Sequence, residues 1–273
     1  MIPLAISPCP NDTFLFYHWM AGKIDSSLQP QVSFADIQQL NMWALQKRFP
    51  LIKLSFHCFR ECLADYSLLP VGAALGKGCG PKIIAKTPFL LDELPSKKIA
   101  IPGENTTAHF LLKHLLPNPK EKRFCLYHEI STLLDQGIVD CGLIIHESRF
   151  TFESQGFHEI IDLGTLWEKR YQLPLPLGGL ALRNDVDVTL GKQIVRILRE
   201  SLEKAWKFPE ESKEFVIHQA QEKNWDVIRQ HIDLYVTKES HSLSPEGKEA
   251  IEILLTSPVS SKNSSKHFWL FDP

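Results

Sequence analysis

Four short stretches of this chain hold residue types that can do chemistry at spacings where chemistry is feasible. In "GLIIHESRFT" an apolar run ends in His146, Glu147, Ser148 and Arg149. A histidine at the carboxyl end of a buried strand faces the crevice of an α/β fold, where an imidazole titrating near neutral pH can serve as a general base. A structural histidine suits the same place, and Glu147 and Arg149 read either as its orienting partners or as solvated neighbours. In "IPGENTTAHFLL" a strand passes through Gly103 into Thr106, Thr107 and Ala108, the start of a helix. Thr106 is expected to be the N-cap; the free amides of that helix start can hold a carboxylate or phosphate, although a plain capped helix explains the same letters.

The other two stretches lie earlier. "LIKLSF" ends a strand with Lys53, Leu54 and Ser55, whose backbone and hydroxyl donors are expected at the crevice, while the Lys53 side chain reads as a solvated edge residue. "SPCPNDTF" joins the first strand to a helix closed by Gly22; Asn11 or Asp12, with Thr13, is expected to cap it. Either an anion sits there, near Ser7, Asn11 and Asp12, or the octet is a tight turn with nothing bound. The histidines His18, His114, His218 and His267 read as surface or packing residues.

Nine short apolar runs supply the frame: "PLAIS", "VSFADI", "LIKLSF", "KIIAK", "KIAIP", "RFCLY", "CGLIIH", "HEIIDL" and "LGGLALR". Helical patterns lie between several of them, which predicts an α/β fold with largely parallel sheets. Their grouping predicts two lobes, residues 1–88 with 176–273 and residues 89–175, closing as a hinged clamshell on a small ligand. In "LGKQIVRILRESLEKAW" the stripe Leu190, Ile194, Ile197, Leu198, Leu202 and Trp206 reads as core.

The bulk properties exclude other classes. With 273 residues, 44% apolar, and a net charge of −2, the chain does not read as a general nucleic-acid binder. No run reaches membrane-spanning length and no basic segment precedes a long apolar core, so a cytoplasmic location is expected. Six cysteines are scattered without metal-ligand spacing, and no phosphate-binding G-x-x-x-x-G-K occurs. No metal and no other cofactor is expected. Low complexity is confined to "TSPVSSKNSSK".

Taken together, "SPCPNDTF", "LNMWAL", "KLSF", "AALGKGCGP", "IPGENTTAHFLL", "GLIIHESRFT" and "LPLPLGGLALR" resemble the 1,4-dihydroxy-6-naphthoate synthase family of the futalosine route to menaquinone. The blocks stand in family order from residue 7 to about residue 183. The resemblance implies a two-lobed clamshell of the type II periplasmic-binding-protein kind, with mixed sheets flanked by helices and the ligand cleft between lobes. It implies conversion of cyclic dehypoxanthine futalosine, a small-molecule carboxylate, to 1,4-dihydroxy-6-naphthoate with loss of dihydroxyacetone. It carries the general base onto His146 and substrate contacts onto Lys53, Leu54, Ser55, Thr107 and Ala108. It also favours Ser7, Asn11, Asp12 and Asn41 as cleft-lining residues. The chain departs from the family after Tyr235-Val236, where Thr237 and "KESHSLSPEG" follow, and in the tail "SKNSSKHFWLFDP"; these bear on substrate fit. The alternatives are a chorismate dehydratase of the same pathway and a non-catalytic small-molecule binding protein.

Overall fold

The computed structural model describes residues 1–257 and Trp269. The strands, in chain order, are β1 (Ile2–Ile6), β2 (Pro30–Phe34), β3 (Leu51–Ser55), β4 (Tyr66–Leu68), β5 (Ala74–Gly76), β6 (Lys82–Ala85), β7 (Lys98–Ile101), β8 (Glu121–Phe124), β9 (Cys141–Ile144), β10 (His158–Asp162) and β11 (Leu175–Arg183). The helices are α1 (Pro10–Met20), α2 (Ile37–Leu45), α3 (Phe56–Cys62), α4 (Thr107–Leu115), α5 (Ile130–Asp135), α6 (Ser148–Thr151), α7 (Leu163–Tyr171), α8 (Val188–Lys207), α9 (Glu210–Gln219), α10 (Trp225–Tyr235), α11 (Lys238–His241) and α12 (Pro245–Thr256). Each of the nine apolar runs contains or overlaps a strand; β4 and β5 are additions of three residues each.

Two sheets form, in the orders β2-β1-β3-β11-β4, with β5 also on β11, and β10-β6-β9-β7-β8. They are mixed rather than largely parallel. β1 runs parallel to β2 and β3, and β7 to β8 and β9, as strand–helix–strand units require. The chain segments that pass between the sheets reverse this: β11 is antiparallel to β3, β4 and β5, and β6 is antiparallel to β9 and β10. "KIIAK", expected to close the first lobe, belongs to the second sheet, because its partners are Gly142 to Ile144 and His158 to Asp162.

Local chemistry explains the helix starts. Cys9, not Asn11 or Asp12, is the N-cap of α1, with Pro10 at the first helical position. Proline's fixed φ and absent N–H suit that position, so the helix begins earlier than the Asn-Asp pair suggests. Asp12 instead turns back and accepts from the Ser7 amide at 3.1 Å and the Ser7 hydroxyl at 2.8 Å. Thr106 caps α4 as expected, accepting from the His109 amide at 3.2 Å. The turn before it needs Gly103, whose φ is +140° and whose missing Cβ leaves room for the Gln38 side chain.

A continuous apolar cluster joins the lobes, running from Ile52 and Phe59 through Phe110 to Leu143 and Trp167. A second cluster packs α1 and α8 on the first sheet. There Ile194, Ile197, Leu198 and Leu202 are buried, each worth about 1.5–3 kcal/mol of transfer energy. Trp206, at the end of that stripe, is 37% exposed and packs edge-on against Phe14. All six cysteines are free, and all but Cys125 are buried. Among the described residues no helix is long and apolar enough to cross a membrane. His267 and the divergent tail, apart from Trp269, lie outside the described residues, as does "TSPVSSKNSSK" from Pro258 onward.

Candidate active site

Where the lobes meet, Ser7, Asn11, Asp12, Lys53 and Ser55 from the first line one cavity with Thr107, Ala108 and His146 from the second. Two candidates stand behind it. Leu54 points the other way from the central strand β3 into the apolar cluster. Asn41 is fully buried. Its Oδ1 accepts from the Ser55 amide at 2.9 Å, and its Nδ2 donates to Ser55 Oγ at 3.0 Å and to the Asn105 carbonyl at 2.9 Å. Asn41 therefore ties β3 to the loop before α4 in the opposite lobe.

Lys53 is not a solvated edge residue. β3 lies between β1 and β11, so the side chain is only 5% exposed. Its Nζ stands 3.1 Å from Asp12 Oδ1 and donates to the Gly72 carbonyl at 2.7 Å. A lysine buried this deeply is tolerable because it is both paired and hydrogen-bonded. Thr107 is engaged as well, its hydroxyl donating to the Leu177 carbonyl of β11 at 2.6 Å. The donors that α4 offers the cavity are thus its first-turn amides, which have no intrahelical partner.

His146 follows β9 with φ at +58°, the left-handed region that costs an L-residue roughly 1–2 kcal/mol. Its Nδ1 lies 3.6 Å from Cys9 Sγ, and its ring meets that of Tyr127 edge-on with centroids 4.9 Å apart. Its Nε2 is buried with no hydrogen-bond partner. Desolvation lowers its pKa to about 4, against the pull of Asp12 and Asp36, which favour the charged ring. The residues after it are not solvated: Glu147 is buried, and Arg149 donates to the Gly80 carbonyl at 2.7 Å and pairs with Asp162 at 3.4 Å.

Sequence reasoning missed three residues of this site. Cys9 stood inside a quoted motif, but its thiol carried no spacing signal. His231 and Tyr235, both lining the cavity, follow Ile228 and Ile232 along the buried face of α10 and read as helix core. His231 Nε2 meets Asn11 Oδ1 at 3.0 Å, and its ring stacks 6.2 Å from that of His146. Beyond Tyr235, Thr237 caps α11 and donates to the Leu75 carbonyl at 3.3 Å. Among the described residues no three His, Cys, Asp or Glu side chains are grouped to hold a metal ion.

Comparison with known proteins agrees with this architecture. Residues 2–257 match a family described as menaquinone biosynthesis. A protein of Thermus thermophilus named 1,4-dihydroxy-6-naphthoate synthase is 40% identical over 250 residues, 91% of this chain and 90% of that one. One of the same name from Streptomyces coelicolor is 35% identical over 260 residues, 93% and 92% of the two chains. The crystal structure of protein AF1704 from Archaeoglobus fulgidus superposes with a TM-score of 0.89 at 30% identity, over 93% of this chain and 96% of that one. At 12% identity, the periplasmic aliphatic sulphonate binding protein SsuA of Escherichia coli superposes with a TM-score of 0.64 over 86% of this chain and 83% of that one, which assigns the fold to the two-lobed binding-protein kind. The chain belongs to the menaquinone biosynthesis family.

Proposed function

We propose that this menaquinone-biosynthesis enzyme is a carbon–carbon lyase. Its substrate is cyclic dehypoxanthine futalosine, its products are 1,4-dihydroxy-6-naphthoate and dihydroxyacetone, and it acts in the cytoplasm without a cofactor. The observation that carries this reading is His146, an imidazole with an unpartnered Nε2 on the wall of the interlobe cavity. Its low pKa keeps the ring neutral at pH 7, the form that accepts a proton.

His146 removes a proton from the substrate, and the released electron pair forms a π bond as the C–C bond breaks. The pair of the broken bond stays with one fragment and takes the proton back from the imidazolium, and aromatisation of the remaining ring is the driving force. A positioned base of this kind contributes about 10²–10⁴-fold. The imidazolium that forms is stabilised by Asp12 and Asp36. The amides of Thr107 and Ala108 hold the substrate carboxylate at the positive end of α4. On the facing wall Ser55 Oγ accepts from Asn41, which leaves its own proton to donate to the substrate. Lys53 acts through its backbone and by fixing Asp12, its ammonium being already committed.

The test is incubation of the purified protein with cyclic dehypoxanthine futalosine and identification of products by mass. Dihydroxynaphthoate is expected from the wild type and is expected to fall at least a hundredfold in His146→Asn. Recovery of the ligand unchanged overturns the reading in favour of a binding protein. Turnover of chorismate in its place favours the dehydratase.

A further inference from the structure

Glu147 and His231 face each other across the meeting of the lobes, and each presents an atom that nothing satisfies. Glu147 Oε2 lies 3.9 Å from His231 Nδ1, and both atoms are buried without a hydrogen-bond partner. The tautomer of His231 follows from its other side. Asn11 Nδ2 donates to Asp12 Oδ1 at 2.9 Å, which turns Asn11 Oδ1 toward His231 Nε2. Nε2 therefore carries a proton and Nδ1 presents a lone pair. An ionised Glu147 would set a negative oxygen against that lone pair in a dry interface, where leaving either group unsatisfied is costly. One proton on the axis between them removes the conflict.

We propose that Glu147 and His231 are positioning residues that share one proton across the lobe interface and thereby hold His146 in its left-handed backbone conformation beside the cavity. Glu147 is the next residue in the chain, so anchoring its carboxyl fixes the peptide that follows the strained φ. Tyr127, which touches the His146 ring, also donates to Glu147 Oε1 at 3.5 Å, and the His231 ring stacks on that of His146. The role assigned to His146 rests on the proposed reaction; the shared proton does not.

Burial favours the neutral form of both groups. Burial raises the Glu147 pKa, with Glu222 ahead of α10 adding a like charge. Burial holds His231 well below the ordinary imidazole value, and His146 and Arg149 further oppose a second proton on it. The other groups facing the pair keep one charge state through the neutral range. Tyr127, Tyr235 and Cys9 are all pushed up by burial, His146 is pushed down to about 4, and Arg149 stays cationic. Asp12 is tied to Lys53. Both directions, Glu147 up and His231 down, favour the Glu147 end of the axis for the proton, and its loss as pH rises opens the clasp.

The experiment measures kcat and KM for wild type, Glu147→Gln and Glu147→Ala from about pH 5 to about pH 9, with infrared spectra of each. Glutamine keeps the shape and donates an N–H to His231 Nδ1 at every pH. Glu147→Gln is expected to stay within about threefold of wild-type kcat at neutral pH and to lose the fall that the wild type shows with rising pH, whereas Glu147→Ala drops kcat about ten- to a hundredfold throughout. A protonated-carboxyl C=O stretch in the wild type at neutral pH, absent from Glu147→Gln, reports the proton without any turnover. A Gln variant as inactive as the Ala variant overturns the positioning role, as does an Ala variant indistinguishable from wild type. Absence of the carboxyl band overturns the shared proton. A wild type that does not turn over the substrate refutes the proposed reaction and leaves the infrared test standing.

Discussion

Replacing His146 by asparagine tests how deeply its imidazole is desolvated. The native ring has a pKa of about 4, whereas the unfolded chain takes up the proton near 6.5. Below pH 6.5 the unfolded state therefore binds more protons, and stability falls as pH falls, until the native ring also protonates at about 4. About 2.5 pH units separate the two values, which is worth about 3 kcal/mol. Most of that is lost by about pH 4.5. His146→Asn removes the titration. Whatever the substitution does near pH 7.5, the difference between variant and wild type should shift by about 2.5 kcal/mol in the variant's favour near pH 4.5. Urea unfolding of both proteins at the two pH values reads this directly, and subtraction removes every carboxylate they share. The same depression puts the acid limb of wild-type kcat/KM near 4 rather than 6.5. A difference that stays flat between the two pH values, with an acid limb at the ordinary imidazole position, would refute the reasoning.

Lys53→Met leaves the Asp12 carboxylate, 1% exposed, without its countercharge and should cost about 3–5 kcal/mol in chemical unfolding, part of it regained in Lys53→Met/Asp12→Asn. A loss below about 1 kcal/mol would mean that water reaches the pair. Asn41→Ala removes three hydrogen bonds and should cost about 3 kcal/mol; since one of them spans the lobes, KM should rise about fivefold with little change in kcat. Thr107→Val strips the donor from the Leu177 carbonyl and should cost about 1–2 kcal/mol, seen as a lower Tm and a higher KM.

What could be read from the sequence was whatever a strand or helix carries in its own residues. Runs such as "KIAIP" and "CGLIIH" announce buried strands, and Thr106 announces a cap, because burial pattern and side-chain chemistry are local. Tyr66–Leu68 and Ala74–Gly76 are too short to show alternation. The membership of Lys82–Ala85 was misread because pairing with β9 and β10, not composition, decides which sheet a strand joins. Lys53 was misread for a related reason: a lysine on a strand looks solvated until Asp12 arrives from helix α1 to neutralise it. His146 could be located from its strand end, while His231 was hidden by a helical stripe in which a cavity residue and a core residue have the same period.

The route of the chain between its sheets also governs how the protein is made. The second sheet comes from one unbroken stretch, Lys82 to Asp162, whereas Leu51 of β3 must wait for Leu182 of β11. During synthesis β1, β2 and β3 emerge first and can pair, but one flank of β3, with Leu51, Ile52 and Leu54, stays open while the second lobe is completed. An unpaired apolar strand edge is a template for unwanted pairing with other chains. A nascent chain halted between Asp162 and Leu175 would carry a finished second sheet beside an incomplete first one, and that is the length at which its aggregation, and its demand for a chaperone, should be greatest.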